Sequence, residues 1–106
     1  MEGQYTIGYW KIRGLGQYVR LTAEAAGKPY TEKAYSTEEG WFKEDKPNSP
    51  VLLPNLPYYI DGDIAISESD SVVRTVARIH KPELLGKSSK DQAFVEYIFS
   101  YIMKMN

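Results

Sequence analysis

The first 35 residues place strand, turn, helix and strand in an order that leaves few folds open. Gln4 to Trp10 is rich in β-branched and aromatic residues and predicts a strand. Leu15, Tyr18, Val19, Thr22 and Ala25/Ala26 recur at helical spacing. Gly27 suits the left-handed position after a helix, and Pro29 prevents extension. Pro29 to Tyr35 predicts a second strand. Strand, helix and strand in that order make a parallel pair with a right-handed crossover.

The following segment, Ser36 to Pro50, is polar, with at most a short helix around Glu38 to Glu44. Pro47, Pro50, Pro54 and Pro57 punctuate the loop that leads on. Tyr58 to Ile60 and Ile64 to Ile66 flank Asp61-Gly62, a strong hairpin-turn signal. Ser67-x-x-Asp70 reads as a capping box with Asp in place of the usual Glu or Gln. It opens a helix carrying Val72, Val73, Val76, Ala77 and Ile79, which Pro82 ends. The chain is thus expected to be an α/β protein with a mixed four-stranded sheet and helices packed on it.

A last helix differs in kind. Phe94, Tyr97, Ile98, Tyr101, Ile102 and Met105 form a dense apolar stripe on one face. Such a stripe needs cover: either the chain is the front part of a longer protein, or the stripe packs against a second subunit. His80, near a helix C-terminus, reads as a favourable end charge rather than as a base or metal ligand.

Composition narrows the chemistry. With 106 residues the chain suits one compact domain with one modest core. The formal net charge is −1 and basic residues form no stripe, so nucleic-acid binding has no electrostatic support. There is no cysteine, which removes disulfides, zinc thiolates and a Cys-x-x-Cys redox centre together. If sulfur chemistry occurs here, the sulfur arrives with a ligand. No apolar stretch approaches membrane-spanning length. The start, Met1-Glu2-Gly3-Gln4, lacks a basic region followed by an apolar run, so no secretory signal is expected and a cytoplasmic location is the default.

Three segments carry a resemblance: Gly8-Tyr9-Trp10-Lys11-Ile12-Arg13-Gly14-Leu15, Leu53-Pro54-Asn55-Leu56-Pro57-Tyr58-Tyr59-Ile60-Asp61-Gly62-Asp63, and Ser67-Glu68-Ser69. In this order and separation they resemble the N-terminal, thioredoxin-like domain of a cytosolic glutathione transferase, nearest to the mu class. The resemblance implies the order β-α-β-α-β-β-α. It implies a glutathione-binding domain over residues 4–82 and the first helix of an all-α domain over 88–106. It departs from the mu pattern in a short loop between Tyr35 and Trp41, and in Leu53 where an aromatic plug often stands. It departs again in lacking the helical second domain after Asn106.

The implied chemistry is thiolate activation. A free thiol has a pKa near ~8.5 and is mostly protonated at neutral pH. A phenol at a strand end beside a helix N-terminus can hold a thiolate by hydrogen bonding, assisted by the local dipole. Tyr9 is that phenol, with Tyr5, two residues earlier on the same strand face, as its nearest competitor. The resemblance implies that Leu56, turned by a cis Leu56–Pro57 bond, pairs with the cysteinyl backbone of glutathione. It places Glu68 on the ligand's ammonium and Ser69 on its γ-glutamyl carboxylate. Trp41 and a lysine then surround the glycine end. Lys46 matches counting back from Pro54, whereas counting forward from Trp41 reaches Asp45, so one residue is inserted; Lys43 is the alternative. Trp10, Leu15 and Asn55 carry over as wall and hydrogen-bonding residues. Arg74 and Arg78 correspond to arginines of a subunit interface. The expected partners are glutathione as co-substrate, small electrophiles and a second copy in a homodimer. No metal or organic cofactor is implied. A non-catalytic binding or structural module stands as the alternative function.

Overall fold

The computed structural model describes residues 4–14 and 16–104. Leu15 and Met105, both singled out above, lie outside the described residues. The strands are β1 (Tyr5–Trp10), β2 (Tyr30–Tyr35), β3 (Tyr58–Asp61) and β4 (Ile64–Ser67). The helices are α1 (Gly16–Ala26), α2 (Ser69–His80) and α3 (Ser89–Met103). The sheet runs β2-β1-β3-β4, with β1 parallel to β2 and antiparallel to β3, and β3 antiparallel to β4. This is the mixed sheet expected from the sequence, and the arrangement is thioredoxin-like.

β1 is central, so both its faces are covered. Tyr5 and Ile7 are fully buried with Val19, Ala23 and Ala26 of α1, Tyr59 of β3, and Val72, Val73 and Val76 of α2. The small Ala23 and Ala26 let α1 and α2 pack together on this face. Each valine buried here contributes on the order of 1.5 kcal/mol. A second cluster joins Tyr9, Tyr35, Trp41, Val51, Leu56 and Tyr58. At the sheet edge, β2 is exposed through Thr31, Glu32 and Lys33, and its charges discourage pairing with another strand.

The polar segment after β2 is helical in an unusual way. Glu39–Asp45 forms a π-helical turn rather than the expected short α-helix, followed by a 3₁₀ turn at Lys46–Asn48. The expected capping box is also corrected. Ser67 is the last residue of β4, and its hydroxyl donates to the Leu53 carbonyl at 2.7 Å. The strand continues to Ser67 because it pairs with Tyr58. Helix α2 begins after Glu68, which sits at φ 80° with no side-chain cap.

His80 departs from its expected role as well. Its ring stacks on Tyr5 with centroids 4.1 Å apart, and its Nε2 lies 2.8 Å from Tyr59 Oη. Tyr59 donates its single hydroxyl proton to Asp61 Oδ2 at 2.7 Å, so Nε2 of His80 must donate. Burial holds the imidazole below its ordinary pKa, against the opposing pull of Asp61. His80 is thus held between Tyr5 and Tyr59 at the end of α2, where burial disfavours the charge expected of it. Tyr5, between it and Tyr30, has no hydrogen-bond partner for its buried hydroxyl among the described residues. Burial, with Glu24 and Asp61 nearby, pushes that phenol up to about 12.

A 3₁₀ turn at Pro82–Leu85 leads to α3, which Ser88 caps by accepting from the Asp91 N–H. α3 does not dock through its apolar stripe. Phe94, Tyr97, Ile98, Tyr101 and Ile102 are exposed, while Phe99 packs against the first core cluster. Arg74 of α2 holds the two helices together. Its guanidinium pairs with both oxygens of Glu96, reaches Asp70, and lies 4.8 Å from the centre of the Phe99 ring. Arg74 is thus engaged within its own chain.

Candidate glutathione site at one end of the sheet

Strand directions decide what meets. β1 and β2 run toward the same end, where Trp10 pairs with Tyr35. β3 starts at that end and β4 finishes there, since Gly8 pairs with Tyr58 and Tyr58 with Ser67. Tyr9-Trp10, the turn after Tyr35, Leu56-Pro57 and Glu68-Ser69 therefore all leave the sheet at one edge. Four segments well separated in sequence converge there.

Tyr9 is held by close approach. A side chain at Gly14 would come within 2.6 Å of Tyr9 Oη, and one at Gly16 would overlap the ring itself. Gly14 also adopts φ 44°, which glycine tolerates best. The Arg20 guanidinium lies 5.7 Å from the centre of the Tyr9 ring. Arg20 also donates to the Trp10 carbonyl at 3.0 Å, to the Ile12 carbonyl at 2.7 Å and to Glu32 at 2.8 Å. The turn that follows Tyr9 is thus fastened to α1 and β2. Nothing in the sequence reading singled out Arg20; the available signal was a charged residue beside the buried Val19 on the same helix.

Across the edge, the Leu56–Pro57 bond is cis. The Leu56 N–H donates to the Asn55 side-chain oxygen at 2.9 Å, so Asn55 holds the backbone donor that the resemblance assigns to the ligand. Leu56 and Pro57 are buried, and Asn55 is exposed. Glu68 is exposed and Ser69 half-buried at the start of α2, where backbone N–H groups remain unpaired by the helix. A cleft of about 280 Å³ runs between Val51–Leu53 and Ala65–Glu68. A second, of about 420 Å³, opens between Trp10–Ile12 and Tyr35–Glu38.

Trp41 lies under this surface rather than on it. It is 1% exposed and stacks on Tyr58, with centroids 5.8 Å apart. The next residue, Phe42, is half-exposed and packs against Trp10 at 5.9 Å. The Lys46 ammonium stands 5.3 Å from the Phe42 ring centre. Phe42 was missed in the sequence, although an aromatic directly after Trp41 was a usable signal. Lys43 is exposed and pairs with Glu39, while Asp45 turns inward to Tyr35 and Lys33. Among the described residues no group of three or more His, Asp or Glu side chains is placed to hold a metal ion. Nor is any helix among them long and apolar enough to cross a membrane.

The fold is that of a thioredoxin-like domain. A family model described as "Glutathione S-transferase, N-terminal domain" matches residues 5–78, and the chain belongs to the glutathione S-transferase family. It is 43% identical over 94 residues to the class-mu 26 kDa isozyme 51 of Fasciola hepatica, covering 87% of this chain and 42% of that protein. It is 37% identical over 99 residues to a class-mu 26 kDa isozyme of Schistosoma mansoni, covering 92% and 49%. The crystal structure of the glutathione S-transferase from Ascaris lumbricoides superposes with a TM-score of 0.78 at 29% identity, over 95% of this chain and 46% of that one. The chain thus spans less than half the length of these relatives.

Proposed function

We propose that this sheet edge binds glutathione and that Tyr9 keeps its sulfur ionised for attack on small electrophiles. The observation that carries this reading is the convergence of Tyr9, Leu56-Pro57 and Glu68-Ser69 on one edge, with Tyr9 seated against Gly14 and Gly16. Each unit of thiol pKa depression corresponds to about 1.4 kcal/mol. A phenolic hydrogen bond near a helix N-terminus supplies enough for a shift of ~2 units, so that most of the bound thiol is thiolate at neutral pH. Tyr9 donates to the sulfur and forms no covalent bond with it.

The remaining residues bind and orient. Ser69 and the first N–H groups of α2 hold the γ-glutamyl carboxylate, and Glu68 meets the ammonium. The cysteinyl backbone pairs with Leu56 as an added strand once the Asn55 side chain gives up the Leu56 N–H. Trp10, Phe42 and Lys46 line the glycine end, with Leu15 and Trp41 as supporting walls and Lys46 meeting the terminal carboxylate. On this reading residues 4–82 form the binding domain and 88–106 begin a helical second domain that walls the electrophile. The whole protein is then a cytoplasmic detoxifying homodimer that uses glutathione as co-substrate and no metal or organic cofactor.

Conjugation of a chromogenic aryl halide tests the assignment. Tyr9→Phe is expected to lower kcat by about 10- to 100-fold, the worth of a hydrogen bond to a charged group. Glutathione affinity should move much less. Equal loss of rate and affinity, or no loss of rate, removes Tyr9 from the mechanism.

A further inference from the structure

The helix type over Glu39–Asp45 sets where Lys46 stands relative to Trp41. The Lys46 N–H bonds to the Trp41 carbonyl, five residues back, at the end of the π-helical turn Glu39–Asp45. In an α-helix the residue four positions on lies one turn above its start; in a π turn the residue five on does so. The wider turn therefore keeps Lys46 above Trp41 and rotates Asp45 toward the sheet.

Asp45 is anchored there from one strand, β2. Its Oδ2 accepts from Tyr35 Oη at 2.5 Å and pairs with Lys33 Nζ at 2.6 Å, both on β2. Tyr35 Oη also lies 2.8 Å from Tyr58 Oη at the start of β3. Lys33 and Tyr35 together hold the Asp45 carboxyl below its usual range. Burial and the bond to Asp45 in turn push Tyr35 well above the ordinary phenol range. The next side chain in sequence, Lys46, is half-buried over Phe42, which rests on Trp10.

We propose that Asp45 is a positioning residue: by pinning the π turn to β2 it fixes Lys46 at the glycine end, and so sets the preference for glutathione over γ-glutamylcysteine. This rests on the reading of Lys46 as the partner of the glycine carboxylate. γ-Glutamylcysteine lacks the glycine and offers Lys46 no carboxylate at that distance, so the part of the selectivity that Lys46→Ala removes reports on the Lys46 ammonium.

Affinities of the intact protein for both peptides, by calorimetry, provide the test. Lys46→Ala should weaken glutathione about tenfold, as loss of a charge-assisted bond does, and leave the dipeptide unchanged. Asp45→Ala should give a selective loss of about three- to tenfold, and nothing further in the Lys46→Ala background, as coupled residues behave. Tyr35→Phe keeps the ring against Trp41 and Tyr58 while removing the hydroxyl, and it decides the matter if Asp45→Ala does not fold. Asp45→Glu should restore part of the selectivity. If Asp45→Ala and Tyr35→Phe weaken both peptides equally, or neither, while Lys46→Ala remains selective, the positioning role is overturned and the site reading stands. If Lys46→Ala shows no selective loss, the Lys46 reading fails and takes the proposal with it.

Discussion

Glu68 occupies a backbone conformation that its side chain disfavours, at φ 80° between the end of β4 and the first turn of α2. Such positions cost on the order of 1 kcal/mol and persist where surrounding structure fixes them, commonly at functional sites. Glu68→Gly should therefore raise stability by about 1 kcal/mol, read as a higher denaturation midpoint, while weakening glutathione binding through loss of the carboxylate. A variant that is both less stable and equally tight would contradict the placement of Glu68 at the ligand ammonium. His80 supplies the second prediction at this scale. Its pKa is lowered in the folded state, so the unfolded chain binds more protons near pH 6 and stability rises with pH. The contribution is complete above about 6.5 and is lost as pH falls through the lowered value. Urea midpoints at pH 7.5 and pH 5 should differ more for this chain than for His80→Phe, which keeps the stack on Tyr5.

Elements depend on a few cross-ties. The turn after Tyr9 contains Gly14 and carries no regular structure, yet it must hold the rim of the proposed site. Arg20 supplies the tie, with bonds to two turn carbonyls and to Glu32 from a largely buried guanidinium. Arg20→Lys keeps the charge but loses the planar fork that reaches three acceptors. It should cost about 1 kcal/mol of stability, since the abandoned Trp10 carbonyl lies in a partly buried setting. It should also lower conjugation more than thermal stability predicts, because Tyr9 sits under the same group. Strand and helix boundaries were legible here because alternation and helical spacing are local signals. The hairpin at Gly62, the stop at Gly27 and the four strands follow from residues whose backbone preferences act within a few positions. The start of α2 was not legible. Ser67 is a good cap by type, but pairing with Tyr58 and the bond to Leu53 draw it into the strand.

At the scale of the molecule, Arg74 and Phe99 tie α3 to α2 and the core. Arg74→Ala should therefore release α3 while leaving the sheet intact. Hydrogen exchange would show this as a loss of protection on the order of tenfold or more in residues 92–103, with β1 and β3 unchanged. Simultaneous loss across the sheet would mean that α3 folds as one unit with the core. The outward face of α3 is an exposed apolar surface, with Tyr97 and Tyr101 each more than 60% exposed. Its inner contacts were invisible in the sequence, because the stripe read as the buried face is more apolar than the one that docks. The position of Pro82–Leu85, the grip of Arg74 on Glu96 and the packing of Phe99 turn the weaker face inward.

By itself, the sequence determined the four strands, the main helices and the mixed character of the sheet. It also determined the composition of the proposed site, because periodicity, glycine and proline act locally and the three motifs carry their identity in short runs. Tertiary packing decided which side chains stand at the surface of that site. Trp41 is sunk against Tyr35 and Tyr58, Asp45 faces the sheet, and His80 stacks on Tyr5. These outcomes depend on a π turn, an antiparallel register and a buried tyrosine cluster, each set by contacts between residues far apart in the chain, to which no local pattern is sensitive.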